Sequence, residues 1–140
     1  MTYILNEQLV GSWTLVAGKS EFENGDVMDI YGPNPAGSII FTSNNRMMAV
    51  VTSRSRSASA SPDELFRTMM AYTGTFDLKG NELTVAVDVA WVPGWVGAKQ
   101  TRFLTLDDDL LDIRTPKQDH PLFPGKKVVG LLTWRKERVS

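Results

Sequence analysis

Cysteine is absent from the 140-residue chain, and histidine occurs once, as His120. Without cysteine there is no disulfide, no thiolate metal site and no cysteine nucleophile. One histidine cannot make a zinc cluster. Long apolar runs are also missing, and none approaches the ~20 residues that a membrane helix needs. The opening "MTYILNEQLVGSW" carries no basic leader, and Asn6 and Glu7 interrupt it early. Neither sign of charge dominates. Fifteen Lys and Arg stand against 16 Asp and Glu, for a net charge of −1. No long-range field then favours nucleic acid or an acidic membrane surface. The chain has no glycine-rich phosphate loop after a strand, no nucleophile elbow and no dinucleotide fingerprint. "DDDLLD" lacks the spaced oxygen ligands of a calcium loop and reads as a solvated turn. These absences predict one cytoplasmic domain spanning 1–140, with no cofactor, no metal, no nucleic-acid partner and no membrane.

What the chain does have is regular turn chemistry. "ENGD" at Glu23–Asp26 contains Asn-Gly, a strong hairpin signal. "SNNR" at Ser43–Arg46, "KGNE" at Lys79–Glu82 and "DDD" at Asp107–Asp109 each separate two apolar segments. Asn, Asp and Gly suit such turns because they tolerate positive φ or bond to their own backbone. Strands are predicted at Ser12–Glu21, Val27–Tyr31, Gly37–Thr42, Arg46–Ser53, Ala71–Leu78, Leu83–Val92, Gln100–Leu106, Leu110–Thr115 and Lys127–Lys136. Tight sequential turns make each strand a neighbour of the next. The predicted fold is all-β, an antiparallel up-and-down barrel of about eight to ten strands, whose closure removes exposed edges. A two-sheet sandwich is the alternative, but it needs longer crossovers.

Two segments interrupt the meander. "SRSRSASASPDELF" starts as a polar loop at Ser53 and ends with a helix start, with Ser61 as N-cap, Pro62 at the first position and Glu64 completing a capping box. This predicts a helix from Pro62 to Met69, acting either as a connector or as a lid at the barrel mouth. "TPKQDHPLFPGKK" at Thr115–Lys127 holds Pro116, Pro121 and Pro124 and is predicted to be a long loop. "ILNEQLVG" is predicted to form a short helix that plugs one end.

Pieces of the chain resemble a known pattern. "LVGSWTLV" opens the first strand and "LLTWRKE" lies in the last. Gly-x-Trp early, with a late arginine, resembles lipocalins and the wider calycins. "GSWTL", "GSIIFTSNNRMMAVV", "AYTGTFDL", "VPGWVGAKQTRFLTL" and "LTWRK" resemble the lipocalin-like domain proteins. The resemblance implies a barrel whose end is closed by Trp13, with Gly11 before it and Arg135 packed across the indole. Members of that family often carry a histidine in the strand before the proline-tryptophan element. Here Val85 and Ala86 stand there, so no histidine-based role transfers.

"TVAVDVAWVPGWVG" at Thr84–Gly97 is the most informative stretch. Strand alternation puts Leu83, Val85, Val87, Val89 and Trp91 on one face, and Thr84, Ala86, Asp88 and Ala90 on the other. Either the bulky face packs inward and Asp88 meets water, or Asp88 faces a cavity and pairs with Arg102. Arg102 shares a face with Leu104 and Leu106. Its guanidinium either enters the cavity to meet a carboxylate or enolate, or lies on the surface. Trp91 and Trp95 flank a proline bend and are candidates for a ligand-holding rim. Met48, Met70 and Phe103 are candidate ligand contacts, and Tyr72 a candidate interior hydroxyl.

Two functions fit this inventory. One is binding of a small hydrophobic or aromatic molecule inside the barrel, by a monomer or homodimer. The other is a cofactor-free isomerase, cyclase or lyase, with Asp88, Arg102 and Tyr72 as its catalytic groups. A barrel filled by its own side chains would do neither.

Overall fold

The computed structural model describes residues 3–121 and 123–138. Helix α1 (Asn6–Leu9) leads into β1 (Gly11–Phe22), followed by β2 (Val27–Met28), β3 (Ala36–Phe41) and β4 (Arg46–Thr52). Helix α2 (Pro62–Arg67) comes next, then β5 (Met69–Lys79), β6 (Glu82–Ala90) and a 3-10 turn (Pro93–Trp95). The chain ends with β7 (Lys99–Asp107), β8 (Leu110–Arg114), β9 (Gln118–His120) and β10 (Phe123–Lys136).

All pairings are antiparallel, in the order β2-β1-β3-β4-β5-β6-β7-β8-β10-β9, and β1 also pairs with β10. That last pairing runs from Trp13 opposite Lys136 to Phe22 opposite Val128 and closes the ring. The result is an eight-stranded barrel with β2 and β9 as short ribbons on the ends of β1 and β10. The turn signals act as expected, with Asn45, Asp108, Gly25 and Gly80 all at positive φ. No helix among the described residues is long and apolar enough to cross a membrane.

The segment Thr115–Lys127 is not the predicted long loop. Gln118 pairs with Val128 and Asp119 with Lys127, and the Lys127 ammonium lies 2.9 Å from the Asp119 carboxylate. The prolines do not block this ladder because they sit beside its pairs: Pro116 precedes β9, Pro121 lies in the connecting turn, and Pro124 falls within a register shift of β10. Helix α2 ends at Arg67, and only half of its capping box forms. Ser61 Oγ accepts from the Glu64 amide at 3.2 Å.

One end of the barrel is sealed. Leu9, Trp13 and Leu111 are wholly buried, and Phe41, Met47 and Leu83 nearly so. The Trp13 indole N–H donates to the Leu9 carbonyl at 2.9 Å, tying α1 into the plug. Phe41 and Phe76 meet edge to face at 5.3 Å. The cation over Trp13 is not Arg135. Trp134 points inward, so alternation sends Arg135 into solvent and returns Lys136 to the Trp13 side. Lys136 Nζ sits 5.2 Å from the indole centroid and donates to the Gln8 carbonyl at 3.0 Å. Gly11 has φ +133°, and a Cβ there would press on the Lys136 stem at 3.3 Å, which explains the glycine of the Gly-x-Trp element.

Bulges re-phase two strands. On β6, Thr73 faces Val89 and Gly74 faces Val87, leaving Asp88 as the extra residue. Leu83, Val85 and Val87 point inward as predicted, but beyond the bulge Val89 turns outward and is 62% exposed. On β1 the pairing shifts between Leu15 and Ala17, with Val16 as the extra, exposed residue.

Candidate functional site

Side chains pack the barrel solidly toward the Trp13 end. A cavity of about 70 Å³ lies between the middle and the opposite end. Trp134, Ile39 and Ile113 line it along the barrel, and Trp95, Tyr31 and His120 line it nearer the mouth. That volume is well above the ~10–15 Å³ that holds one water and well below the ~300–1,000 Å³ of drug-sized ligand sites. The cavity therefore suits a molecule on the scale of a single ring.

Alternation and the bulge sort the sequence candidates. Asp88 is on the outer wall. Its carboxylate accepts from Thr73 Oγ1 at 2.6 Å and from Arg46 Nη2 at 2.7 Å, both pairs being solvent-exposed. These hydrogen bonds hold its pKa below the usual carboxylate range, the Thr73 bond contributing most. Asp88 thus has no access to the cavity and does not meet Arg102. Met48 (53% exposed) and Phe103 (44% exposed) also point outward, because their neighbours Met47, Ala49, Arg102 and Leu104 take the inward positions. Trp91 is half-buried outside the cavity. Its indole N–H donates to the Phe66 carbonyl at 3.2 Å, and its ring contacts Phe66 and Trp95. This anchors α2 to the β6–β7 turn, and no residue of α2 lines the cavity.

Arg102, Tyr72, Met70 and Trp95 do reach the cavity. Trp95 meets Tyr72 edge to face at 5.3 Å. Arg102 is 5% exposed. Its Nη1 donates to the Thr101 carbonyl at 2.8 Å and to Gln100 Oε1 at 3.3 Å, and both acceptors are neutral. Among the described residues Arg102 has no carboxylate partner. A guanidinium stays charged in any protein environment, and burying that charge without a counter-ion is costly.

Sequence reasoning missed three cavity groups. Trp134 is buried, and its indole N–H has no acceptor among the described residues. Tyr31, at the edge of a predicted strand, is buried by the turn after β2. Burial pushes its phenol pKa well up, and the nearby Tyr72 adds to this. His120, assigned to a loop, lies on β9 with its ring 5.6 Å from Phe123. The parity that turns Trp134 inward follows from Trp13 pairing with Lys136, which the folded barrel shows and the sequence does not. No sequence signal marks the other two. Among the described residues, no group of three or more His, Cys, Asp or Glu is placed to hold a metal.

Burial pushes the His120 pKa from 6.5 down to about 4. The unfolded chain therefore binds a proton that the folded chain refuses between those values. Stability contributed by neutral His120 is full above about pH 6.5 and falls as the pH drops toward about 4. Urea titrations of wild type and His120→Gln across this window should show a shallower loss in the variant. Parallel pH profiles would contradict the assignment.

The model of the lipocalin-like domain family matches residues 10–137. No curated protein matches the chain at a significant level. Among solved structures, it is similar to a lipocalin-like protein from Bacteroides uniformis ATCC 8492, at 15% identity and TM-score 0.48, covering 92% of this chain and 98% of that one. It is also similar to an uncharacterized protein from Bacteroides eggerthii DSM 20697, at 14% identity and TM-score 0.46, covering 92% and 99%. With the family match running through nearly the whole barrel, from just before Gly11 to just after Lys136, the chain belongs to the lipocalin-like domain family.

Proposed function

We propose that the protein binds a small hydrophobic or aromatic molecule inside the barrel, in a cytoplasmic setting. The observation that carries this is the cavity of about 70 Å³ with Trp95, Tyr72, Met70, Ile39 and Trp134 in its wall. Aromatic and aliphatic walls reward apolar surface at roughly 25 cal/mol per Å² removed from water. The aromatic rings in the wall can stack on or meet edge to face a flat ring. A cofactor-free isomerase, cyclase or lyase in the same cavity is the weaker reading. Its carboxylate base would be Asp88, which sits on the outer wall beside Arg46.

The test is thermal stabilisation by single-ring compounds such as benzamide and benzoate, run on wild type and on Ala49→Leu. Ala49 is 2% exposed and lines the cavity, so the larger side chain fills it. A ligand at 100 times its Kd adds about 2.7 kcal/mol to stability. Wild type should gain several degrees in Tm and Ala49→Leu almost nothing. Equal shifts in both proteins, or none in either, would contradict the reading.

A further inference from the structure

We infer that the occupant carries a carboxylate and that Arg102 is the residue that receives it. This deepens the proposed cavity binding and rests on it. Arg102 and Lys19 are both in the cavity wall, and no Asp or Glu is. Neither cation forms an ion pair with another described residue. Arg102 is more than nine-tenths buried, so solvent screens its charge poorly.

Donor geometry narrows the anion. A guanidinium has five N–H donors in a planar fork. Both hydrogen bonds of Arg102 come from Nη1, and no described residue accepts from Nε or Nη2. A carboxylate matches such a fork with two parallel bonds, where a hydroxyl or ketone matches one. Gln100, 9% exposed, braces the guanidinium through its Oε1 and limits its rotation. Trp134 supplies a further buried N–H without an acceptor in the same cavity. The positive charge and these donors therefore face a cavity whose wall is largely apolar but also carries Ser20, Thr115 and Gln118. The chemistry that satisfies both is a single-ring or short aliphatic acid, bound as its anion.

The experiment is calorimetric titration of the full chain with benzoate and with benzamide, its neutral isostere. Wild type should bind benzoate at least about 10-fold more tightly, since charge-assisted hydrogen bonds are roughly twice as strong as neutral ones. Arg102→Met should bind both alike, Arg102→Lys should keep part of the preference, and Asp88→Asn on the outer wall should keep all of it. Arg102→Lys and the wild-type ratio decide the question if Arg102→Met does not fold. Benzamide and benzoate binding wild type within roughly threefold of each other would overturn the carboxylate inference while leaving the cavity reading standing. A benzoate preference that survives in Arg102→Met or Arg102→Lys undiminished would also overturn it. Binding of neither compound to wild type would overturn both readings.

Discussion

Gly74→Ala is expected to cost the barrel about 3 kcal/mol or to abolish folding, the upper end of what overpacking does in a protein interior. Gly74 is buried on the inner face of β5, opposite Val87 and beside the β6 bulge. A Cβ there would collide with the Ala86 carbonyl oxygen and lie 2.9 Å from both its carbonyl carbon and Val85 Cγ1. Most of the obstruction is backbone, so no rotamer change relieves it and β6 itself must shift. The same shift would disturb the bulge at Asp88 that turns Val89 outward. Urea denaturation followed by circular dichroism gives the cost directly. An unchanged midpoint would mean that β5 and β6 do not approach this closely.

The second large effect is at the sealed end. Trp13→Ala should cost about 3–5 kcal/mol, as removing a large buried aromatic does in other cores. Trp13 has no exposed surface, and its indole N–H is the bond that holds the last residue of α1. Truncation would open a void, free the Leu9 carbonyl and leave the Lys136 ammonium without its ring. Trp13→Phe keeps most of the packing and should cost less. Trp91→Ala, at a half-buried rim position, should cost less than Trp13→Ala. If thermal denaturation ranked Trp91→Ala as the more damaging, the account of which end is sealed would fail.

The hairpins were legible in the sequence because Asn-Gly, Asn-Asn, Gly-Asn and Asp-Asp each mark a turn by local chemistry. Trp13 and Gly11 were legible because the resemblance named them. Inward and outward faces were less so, for a physical reason. Parity within one strand is set by its partners, and an apolar residue can sit on either face. Met48 and Phe103 are as apolar as Met47 and Leu104 yet point out. Bulges compound the problem, since the extra residue at Asp88 reverses the assignment of Val89. Alternation from the inward Trp134 likewise puts Lys136, not Arg135, over Trp13. For β9, prolines discouraged a strand reading, but they fall where no ladder pair is needed.

Arg102 shows what sequence could and could not say. Sharing a face with Leu104 and Leu106 kept the inward position open. Only the folded barrel shows that its companions are Gln100 and the Thr101 carbonyl rather than Asp88. That difference moves the charge of Asp88 out of any internal chemistry and leaves the cavity wall net positive.

The chain's four tryptophans give the most direct test of an internal binding site. Trp134 and Trp95 line the cavity, while Trp13 lies in the sealed end and Trp91 on the outer rim bonded to Phe66. A nitrogen–proton correlation spectrum of the indole groups, recorded as benzoate is added, should show saturable shifts of the Trp134 and Trp95 resonances. Trp13 should stay still, and Trp91 should move little. Shifts confined to Trp13 or Trp91, or four unmoved indoles during a titration that otherwise shows binding, would place the ligand outside the barrel and contradict the account.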